Sequence, residues 1–310
     1  MEKIATREAY GRALVDLGRL ERRIVVLDAD LSKSTKTEYF AKEFPERFFN
    51  MGIAEQNLMG TAAGLALAGK IPFASTFAVF AAGRAYDQIR NTIAYPRLNV
   101  KIAATHAGLS VGEDGASHQA LEDIALMRAL PNMTVIVPAD AEETRQAVKA
   151  AAEHYGPVYL RLGRMNVPRI YGNDYRFILG KADWLRRGHM ATIIACGLMV
   201  AEALRAQEML AAQGLEVGVL NMSTIKPLDR EAVMEAAETG AIVTAEEHNV
   251  VGGLGSAVAE ALVEMKPVPM KRVGVQDVFG ESGSAEELLT KYGLTAGAIL
   301  EAVKEVIRRK

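Results

Sequence analysis

The chain has 310 residues, 50% of them hydrophobic and 24% charged, and 36 Lys and Arg against 38 Asp and Glu give a net charge of −2. This composition excludes a disordered chain, a coiled coil and a small disulfide scaffold, and the length favours two domains. The balanced charge offers no electrostatic footprint for nucleic acid or an anionic membrane. Small molecules and protein partners are therefore the expected ligands.

A single cysteine, Cys196, lies in an apolar run and has no second cysteine with which to pair. It is expected to be a buried strand residue in a reducing compartment. The N-terminus lacks the apolar stretch of a signal peptide, and the most apolar region, 59–82, is interrupted by Lys70 and Pro72, which disfavours a membrane span. We expect a soluble, cytoplasmic protein that binds neither membranes nor nucleic acid.

Short apolar, β-branched runs alternate with longer stretches of helical periodicity along the chain. This alternation is typical of βαβ units built around a mainly parallel sheet. The runs form two series, so two sheets are predicted. The first series of predicted strands is 24–28, 47–51, 71–76, 100–106, 134–138 and 158–162, and the second is 191–196, 216–221, 241–245 and 270–275.

A polar stretch with several glycines separates the two series, and such composition marks an interdomain connection. The sequence therefore predicts an α/β protein of two doubly wound domains with mainly parallel sheets. The domains are residues 1–172 and 189–310, and the linker is 173–188. Capping-box spacing at Asp140 and at Ser284 predicts the start of a helix in each domain.

Two weaker patterns favour structural interpretations. The segment 64–70 resembles a phosphate-binding loop, but Ile71 offers no hydroxyl for magnesium. The glycines of 252–255 are better explained by a tight turn and close helix packing than by nucleotide binding. No Cys/His spacing is typical of a zinc site, so no metal ligands are assigned to this chain.

The densest group of polar residues follows the fourth predicted strand. The loop 105–119 contains His106, Glu113, Asp114 and His118 together with three glycines. Loops at this end of a parallel strand are where open α/β sheets present their sites. Composition alone leaves two alternatives, an ordinary solvated loop or a binding site.

Two further segments have similarly open interpretations. Glu55 falls in the first turn of a predicted helix, where the helix dipole favours a carboxylate by only ~0.3–1 kcal/mol. Phe77 and Phe80 are three residues apart, so a helix would present both on one face, either as core or as a platform for a flat heterocycle. Each segment taken alone favours the structural alternative.

Taken together, and in this order, these segments resemble the C-terminal half of transketolase. The resemblance runs from Ala5 to near the C-terminus and implies a pyrimidine-binding domain at 1–172 followed by the family's C-terminal domain at 189–310. The motifs that carry it are Ala5-Thr-Arg7, Asp28-Ala-Asp30, Ile53-Ala-Glu55-Gln-Asn, Ser75-Thr-Phe77, Gly112-Glu-Asp114-Gly, Pro138-Ala-Asp140 and Ile225-Lys-Pro227-Leu-Asp229.

The resemblance implies a thiamine diphosphate enzyme that transfers a two-carbon ketol unit from a ketose phosphate to an aldose phosphate. The implied catalytic residues are Glu55 and His118. The residues implied to bind the cofactor are Glu55, Phe77 and Phe80. The residues implied to bind substrate are Arg7, Ser34, His106, Asp114, His118 and Arg164.

Each implied role suits the chemistry of its side chain. Glu55 resembles the glutamate that hydrogen-bonds the aminopyrimidine ring nitrogen, and Phe77 and Phe80 resemble the aromatic residues around that ring. Gly83 replaces a third aromatic residue that the family often has, so the pocket is expected to be more open. Arg161 is an alternative to Arg164 as a substrate ligand.

Arg7, Arg164, His106 and Ser34 resemble residues that hold the sugar phosphate, a task suited to cationic and hydroxyl donors. Asp114 resembles a residue that binds a substrate hydroxyl. His118 resembles one beside the reacting hydroxyl and carbonyl, where it would assist proton transfer.

The chain departs from the family in one respect, because it contains no Gly-Asp-Gly motif for the diphosphate and its Mg²⁺ or Ca²⁺. The resemblance therefore implies a small subunit of a split transketolase, in a symmetric heterotetramer with an N-terminal-half chain that holds the diphosphate and metal. Three alternatives remain open: the β component of a 2-oxoacid dehydrogenase, a deoxyxylulose-phosphate synthase-like enzyme, and a non-catalytic assembly subunit.

Overall fold

The computed structural model describes residues 3–310; residues 1 and 2, with which the first predicted domain begins, lie outside the described residues. The strands are β1 (Lys3–Ala5), β2 (Ile24–Asp28), β3 (Phe48–Asn50), β4 (Ile71–Phe77), β5 (Lys101–Thr105), β6 (Thr134–Ile136), β7 (Val158–Arg161), β8 (Asn166–Pro168), β9 (Asp183–Arg186), β10 (Ala191–Ala195), β11 (Val217–Asn221), β12 (Thr224–Lys226), β13 (Ile242–Asn249) and β14 (Met270–Val275).

The α-helices are α1 (Thr6–Leu20), α2 (Ser32–Thr35), α3 (Glu38–Glu43), α4 (Glu55–Leu67), α5 (Tyr86–Gln88), α6 (Asp123–Ala129), α7 (Ala141–Glu153), α8 (Met199–Ala211), α9 (Arg230–Ala237), α10 (Leu254–Met265), α11 (Ala285–Lys291) and α12 (Ala296–Ile307). Short 3₁₀ turns lie at Pro45–Arg47 and Leu109–Asp114, and π-helical turns at Phe80–Arg84 and Ile89–Ala94. No helix within residues 3–310 is long and apolar enough to cross a membrane.

The first sheet has seven strands in the order β12-β6-β7-β5-β4-β2-β3. All neighbours are parallel except β12 and β6. The central strands β2, β4 and β5 are buried along their whole length, as expected of a parallel sheet covered by helices on both faces. The six predicted strands of the first series are all present.

The second sheet has five strands in the order β14-β13-β10-β11-β9. Its four predicted strands are parallel neighbours, whereas β9 joins the edge antiparallel to β11. The predicted α/β class with two mainly parallel sheets is therefore confirmed. Sequence reasoning missed β9, which lies inside the predicted linker 173–188, because three of its residues are only half-buried, Arg186 is exposed, and the strand carries no apolar alternation.

The two sheets are connected by one strand that crosses from the second sheet to the first. β12 follows β11 of the second sheet in the chain but pairs with β6 at the edge of the first sheet. The largest hydrophobic cluster continues across this junction, since Val135 and Leu58 belong to the same cluster as Met222 and Leu254. The domains are thus joined by a shared core and by main-chain hydrogen bonds.

The predicted local features are mostly present. Ser284 forms a capping box with Glu287. Asp140 caps α7 by accepting from the Glu143 backbone, but the Glu143 side chain accepts from the backbone of Ala139 instead of returning to Asp140. Cys196 is 2% exposed, and burial raises the pKa of its thiol well above the usual value.

A buried ion pair of the first domain lies at its boundary with the second domain. Arg161 Nε is 2.9 and 3.1 Å from the two carboxylate oxygens of Asp123, and Tyr159 donates its hydroxyl to the same carboxylate at 2.8 Å. Arg161 Nη2 also donates to the carbonyls of Ala120 and Glu247, the latter in the second domain. One guanidinium therefore joins β7, the loop before α6 and β13.

We predict that Arg161→Met lowers the free energy of unfolding by about 3–5 kcal/mol, because it leaves the Asp123 carboxylate buried without its cationic partner. Denaturant titration of the purified chain measures this change. The control is Arg205→Met, which removes an exposed pair with Glu202 and should cost less than about 1 kcal/mol. Similar losses in the two variants would contradict the prediction.

Candidate functional site

The predicted site residues converge on one edge of the first sheet. Ser34 follows β2, Phe77 ends β4, His106 follows β5 and Arg164 follows β7. Since these strands are parallel, their carboxyl ends share an edge, where open α/β sheets bind ligands. Arg7 reaches the same edge from the first turn of α1, which is tied to the end of β7 by a hydrogen bond from the Gly163 N–H to the Thr6 hydroxyl at 2.7 Å.

Glu55 begins α4 and is 1% exposed. Its carboxylate receives Arg84 Nη1 at 3.0 Å on each oxygen. Arg84 in turn lies over the ring of Phe80, with its guanidinium carbon 4.4 Å from the ring centroid. One arginine therefore links the buried carboxylate to the aromatic cluster.

Four rings form an aromatic cluster beside this pair. Phe77 stacks on His106 with ring centroids 3.8 Å apart and lies 6.0 Å from Phe80. His118 meets Phe80 edge-on at 5.3 Å and Phe77 at 6.3 Å. The two phenylalanines and the two histidines singled out from sequence are thus in one place. Gly83 is exposed, and a Cβ atom there would meet no atom within 4 Å; the expected opening of a cofactor pocket at this position stays a prediction.

Hydrogen bonds fix the tautomer of His106. Arg7 Nη1 lies 3.0 Å from His106 Nε2, and because arginine only donates, Nε2 accepts. The proton is therefore on Nδ1, which lies 2.9 Å from the Thr105 hydroxyl. Burial, followed by the charges of Arg7 and Arg164, lowers the pKa of His106 to about 3.

Arg7, beside His106, has a hydrogen-bond donor available for an anion. Arg7 bonds His106 and the Ser34 carbonyl through Nη1 alone, while its buried Nε has no hydrogen-bond partner among the described residues. Burial and the charge of Arg164 lower the pKa of Arg7, and Lys36 adds a further positive charge close to His106. An anionic group at Arg7 Nε would relieve both the missing hydrogen bond and the repulsion.

The loop that carries Ser34 is held by a buried carboxylate. Asp28, at the end of β2, accepts from the Leu31 backbone at 2.5 Å and from the hydroxyls of Thr35 and Thr37 at 2.7 and 2.9 Å. These bonds fix the turn that brings the Ser34 carbonyl to Arg7. The Ser34 carbonyl accepts from Arg7 Nη1 at 2.9 Å, and the contact of Ser34 with a sugar phosphate stays a prediction.

The structure separates the two candidate arginines. Arg161 is held in the buried pair with Asp123, whereas Arg164 is partly exposed beside the loop 105–119. Arg164 Nη1 lies 3.6 Å from Asp114, 3.4 Å from Glu113 and donates to the Val111 carbonyl. Of the two arginines, only Arg164 faces the site.

Two site residues were not predicted from sequence. Arg84 is the partner of Glu55, but the two residues are 29 positions apart and Arg84 lies in a π-helical turn, so no local pattern indicates the pair. Lys36 lies in the turn built around Asp28 and likewise has no local pattern that indicates it. Within residues 3–310, no group of three His, Cys, Asp or Glu side chains is arranged to hold a metal.

The sequence matches two family descriptions. "Transketolase, pyrimidine binding domain" matches residues 2–169, and "Transketolase, C-terminal domain" matches residues 180–299. A transketolase C-terminal section from Methanocaldococcus jannaschii is 51% identical over 98% of this chain and 96% of its own length. Transketolase from Homo sapiens is 40% identical over 99% of this chain, but the match covers 50% of the human protein.

A solved structure described as "Split gene transketolase, inactive beta4 tetramer" has the same fold. The TM-score is 0.93 at 63% sequence identity, and the match covers 98% of this chain and 99% of that one. The chain therefore corresponds to the whole of a separately encoded polypeptide and to half of a fused one.

We predict that the His106 imidazole stays neutral between pH 5 and pH 8. NMR of ¹⁵N-labelled rings, assigned with a His106→Asn variant, should show no titration there, whereas the urea-unfolded chain should titrate near its ordinary value of about 6.5. Because only the unfolded chain binds this proton, His106 makes folding less favourable as pH falls from about 6.5 toward 3. Titration of the folded ring near pH 6 would contradict the assignment.

Proposed function

We propose the function of this chain from one premise: the chain belongs to the transketolase family. It acts as the subunit that holds the pyrimidine end of thiamine diphosphate and binds the sugar phosphates. The reaction is transfer of a two-carbon ketol unit from a ketose phosphate to an aldose phosphate. We place this reaction in the cytoplasm, as part of pentose phosphate metabolism.

The arrangement around Glu55 carries the proposal. A buried carboxylate beside aromatic rings offers the polar and stacking contacts that an aminopyrimidine ring requires. Arg84 occupies one direction at each Glu55 oxygen, and a carboxylate offers about four acceptor sites, so capacity remains for the N–H of a protonated ring nitrogen. Phe77 and Phe80 would cover the faces of a flat heterocycle.

When bound, thiamine diphosphate supplies a nucleophilic carbon able to carry a two-carbon unit. Glu55 would hold a proton between its carboxylate and the aminopyrimidine nitrogen, in a place from which water is excluded. Arg84 keeps that carboxylate oriented toward the cluster. These roles follow from residues within a few ångströms of one another.

The residues that we propose as substrate ligands lie around Arg7 and in the loop 105–119. Arg7 offers its unpaired Nε to a sugar phosphate, with Arg164 and Lys36 adding positive charge. Asp114 would accept a sugar hydroxyl in exchange for its contact with Arg164. His118, half-buried and next to Phe80, is placed to hold or move a proton at the reacting hydroxyl.

We assign the diphosphate and its Mg²⁺ or Ca²⁺ to a partner chain. Support comes from the lack of a Gly-Asp-Gly motif in the sequence and from the relatives, which this chain matches either as a complete C-terminal section or as half of a fused enzyme. Glu113 and Asp114 do not replace the motif, because both face Arg164. We propose a heterotetramer of two such chains with two N-terminal-half chains.

The test is a ketol-transfer assay with xylulose 5-phosphate, ribose 5-phosphate, thiamine diphosphate and Mg²⁺. The chain is assayed alone and mixed with a candidate N-terminal-half protein. Activity that requires the mixture supports the proposal. Decarboxylation of a 2-oxoacid by the mixture would instead favour a dehydrogenase component, and a mixture that assembles without any turnover would favour an assembly subunit.

We predict that Glu55→Ala lowers kcat of the active mixture by roughly 100-fold or more, the usual scale of acid–base catalysis. The matched control, Glu46→Ala, removes an exposed carboxylate outside the site and should leave kcat unchanged. Thermal unfolding of both variants shows whether either change acts through the fold. Wild-type turnover by Glu55→Ala would remove Glu55 from the mechanism.

A further inference from the structure

The loop Gly108–His118 carries Asp114 and His118, and its buried Leu109 packs in a hydrophobic cluster formed mainly by the second domain. Its backbone turns at glycines with positive φ, including Gly108 at 82° and Gly115 at 75°. Such a backbone has many accessible conformations. Something outside the loop must therefore select the conformation that presents both side chains.

The second domain contacts the start of this loop through Glu247 on β13. Glu247 is 5% exposed, and its Oε1 accepts the Ser110 N–H at 2.6 Å. The fit is close, because a Cβ atom at Gly108 would lie 2.2 Å from the Glu247 carboxyl carbon. The Glu247 carbonyl also accepts from Arg161 Nη2 at 2.8 Å, so the strand carrying the carboxylate is itself held.

The second domain also contacts the end of the loop. Gln119 Nε2 donates to the Glu281 carbonyl at 2.9 Å and lies within 3.4 Å of the loop carbonyls of Leu109 and Gly112. A Cβ atom at Gly115 would lie 2.5 Å from the Ser282 hydroxyl. The loop is thus enclosed by second-domain residues on two sides.

We propose that Glu247 of the second domain is a positioning residue for the substrate loop, and that it sets the placement of Asp114 and His118 without touching substrate. This inference rests on the proposed function, since it assumes that Asp114 and His118 of this loop bind the sugar phosphate. It also gives the second domain a direct part in substrate recognition.

Two variants separate positioning from general stability. Glu247→Gln keeps an oxygen that accepts the Ser110 N–H in the same volume, whereas Glu247→Ala removes it. Glu260→Ala is the control, because Glu260 is also a second-domain carboxylate that bonds the first domain. Its partner is Arg128 Nη2 and not a residue of the loop. Only Glu247→Ala should affect the loop.

The first experiment is amide hydrogen exchange on the chain alone, which needs neither partner nor activity. In Glu247→Ala, exchange of the amides of 109–118 should rise about tenfold, the equivalent of about 1.4 kcal/mol of lost protection, while α12 stays unchanged. Glu247→Gln and Glu260→Ala should resemble the wild type. Unchanged loop exchange, or an equal rise throughout the chain, would overturn the proposal.

The second experiment measures KM for xylulose 5-phosphate in the active mixture. Glu247→Ala should raise KM about tenfold, with rescue in Glu247→Gln, whereas a loss of folded protein would lower only the apparent kcat. A KM for Glu247→Ala equal to that of an active wild-type mixture overturns the proposal. If the wild-type mixture shows no ketol transfer, the proposed function fails separately, and the exchange measurement still decides whether Glu247 orders the loop.

Discussion

The structure depends on how it satisfies the charge of Arg161. A guanidinium removed from water costs several kcal/mol unless its donors are paired, and here they meet Asp123 and the carbonyls of Ala120 and Glu247. These partners lie on separate elements of both domains. Their relative placement is thereby restricted to arrangements that keep all the bonds, and β13 is brought against the start of the loop Gly108–His118.

The candidate site also contains buried positive charge, but this charge is paired less completely than that of Arg161. Buried positive charge near Arg7 and His106 is not fully compensated within the described chain, in contrast to Arg161. The imidazole responds by remaining neutral and accepting a hydrogen bond, and Arg7 keeps an unused donor. The charge of Arg161 is therefore paired within the fold, whereas Arg7 retains a buried donor without a partner among the described residues.

Sequence patterns predicted the strands that are buried and continuous, because period and β-branched composition report burial directly. They missed four short strands: β1 and β8 pair only with each other, and β9 and β12 each pair with the edge of a larger sheet. Of the site, the loop 105–119 and the aromatic pair could be found because residue type and order carry the signal. The Arg84–Glu55 pair and the Glu247 contact could not, since they depend on three-dimensional proximity across 29 and 137 positions of sequence.

The exchange of β12 into the first sheet has a consequence for how such an enzyme can be divided. A cut within 173–188 would leave β6 as an unpaired edge on one piece and an orphaned β12 on the other, and exposed strand edges recruit other chains. The interface shared through Met222 and Leu254 would also become exposed apolar surface. The two domains are therefore expected to fold together as one polypeptide. Dividing a fused relative before the first of these domains would leave both sheets and their shared core intact, whereas dividing it between the domains would not.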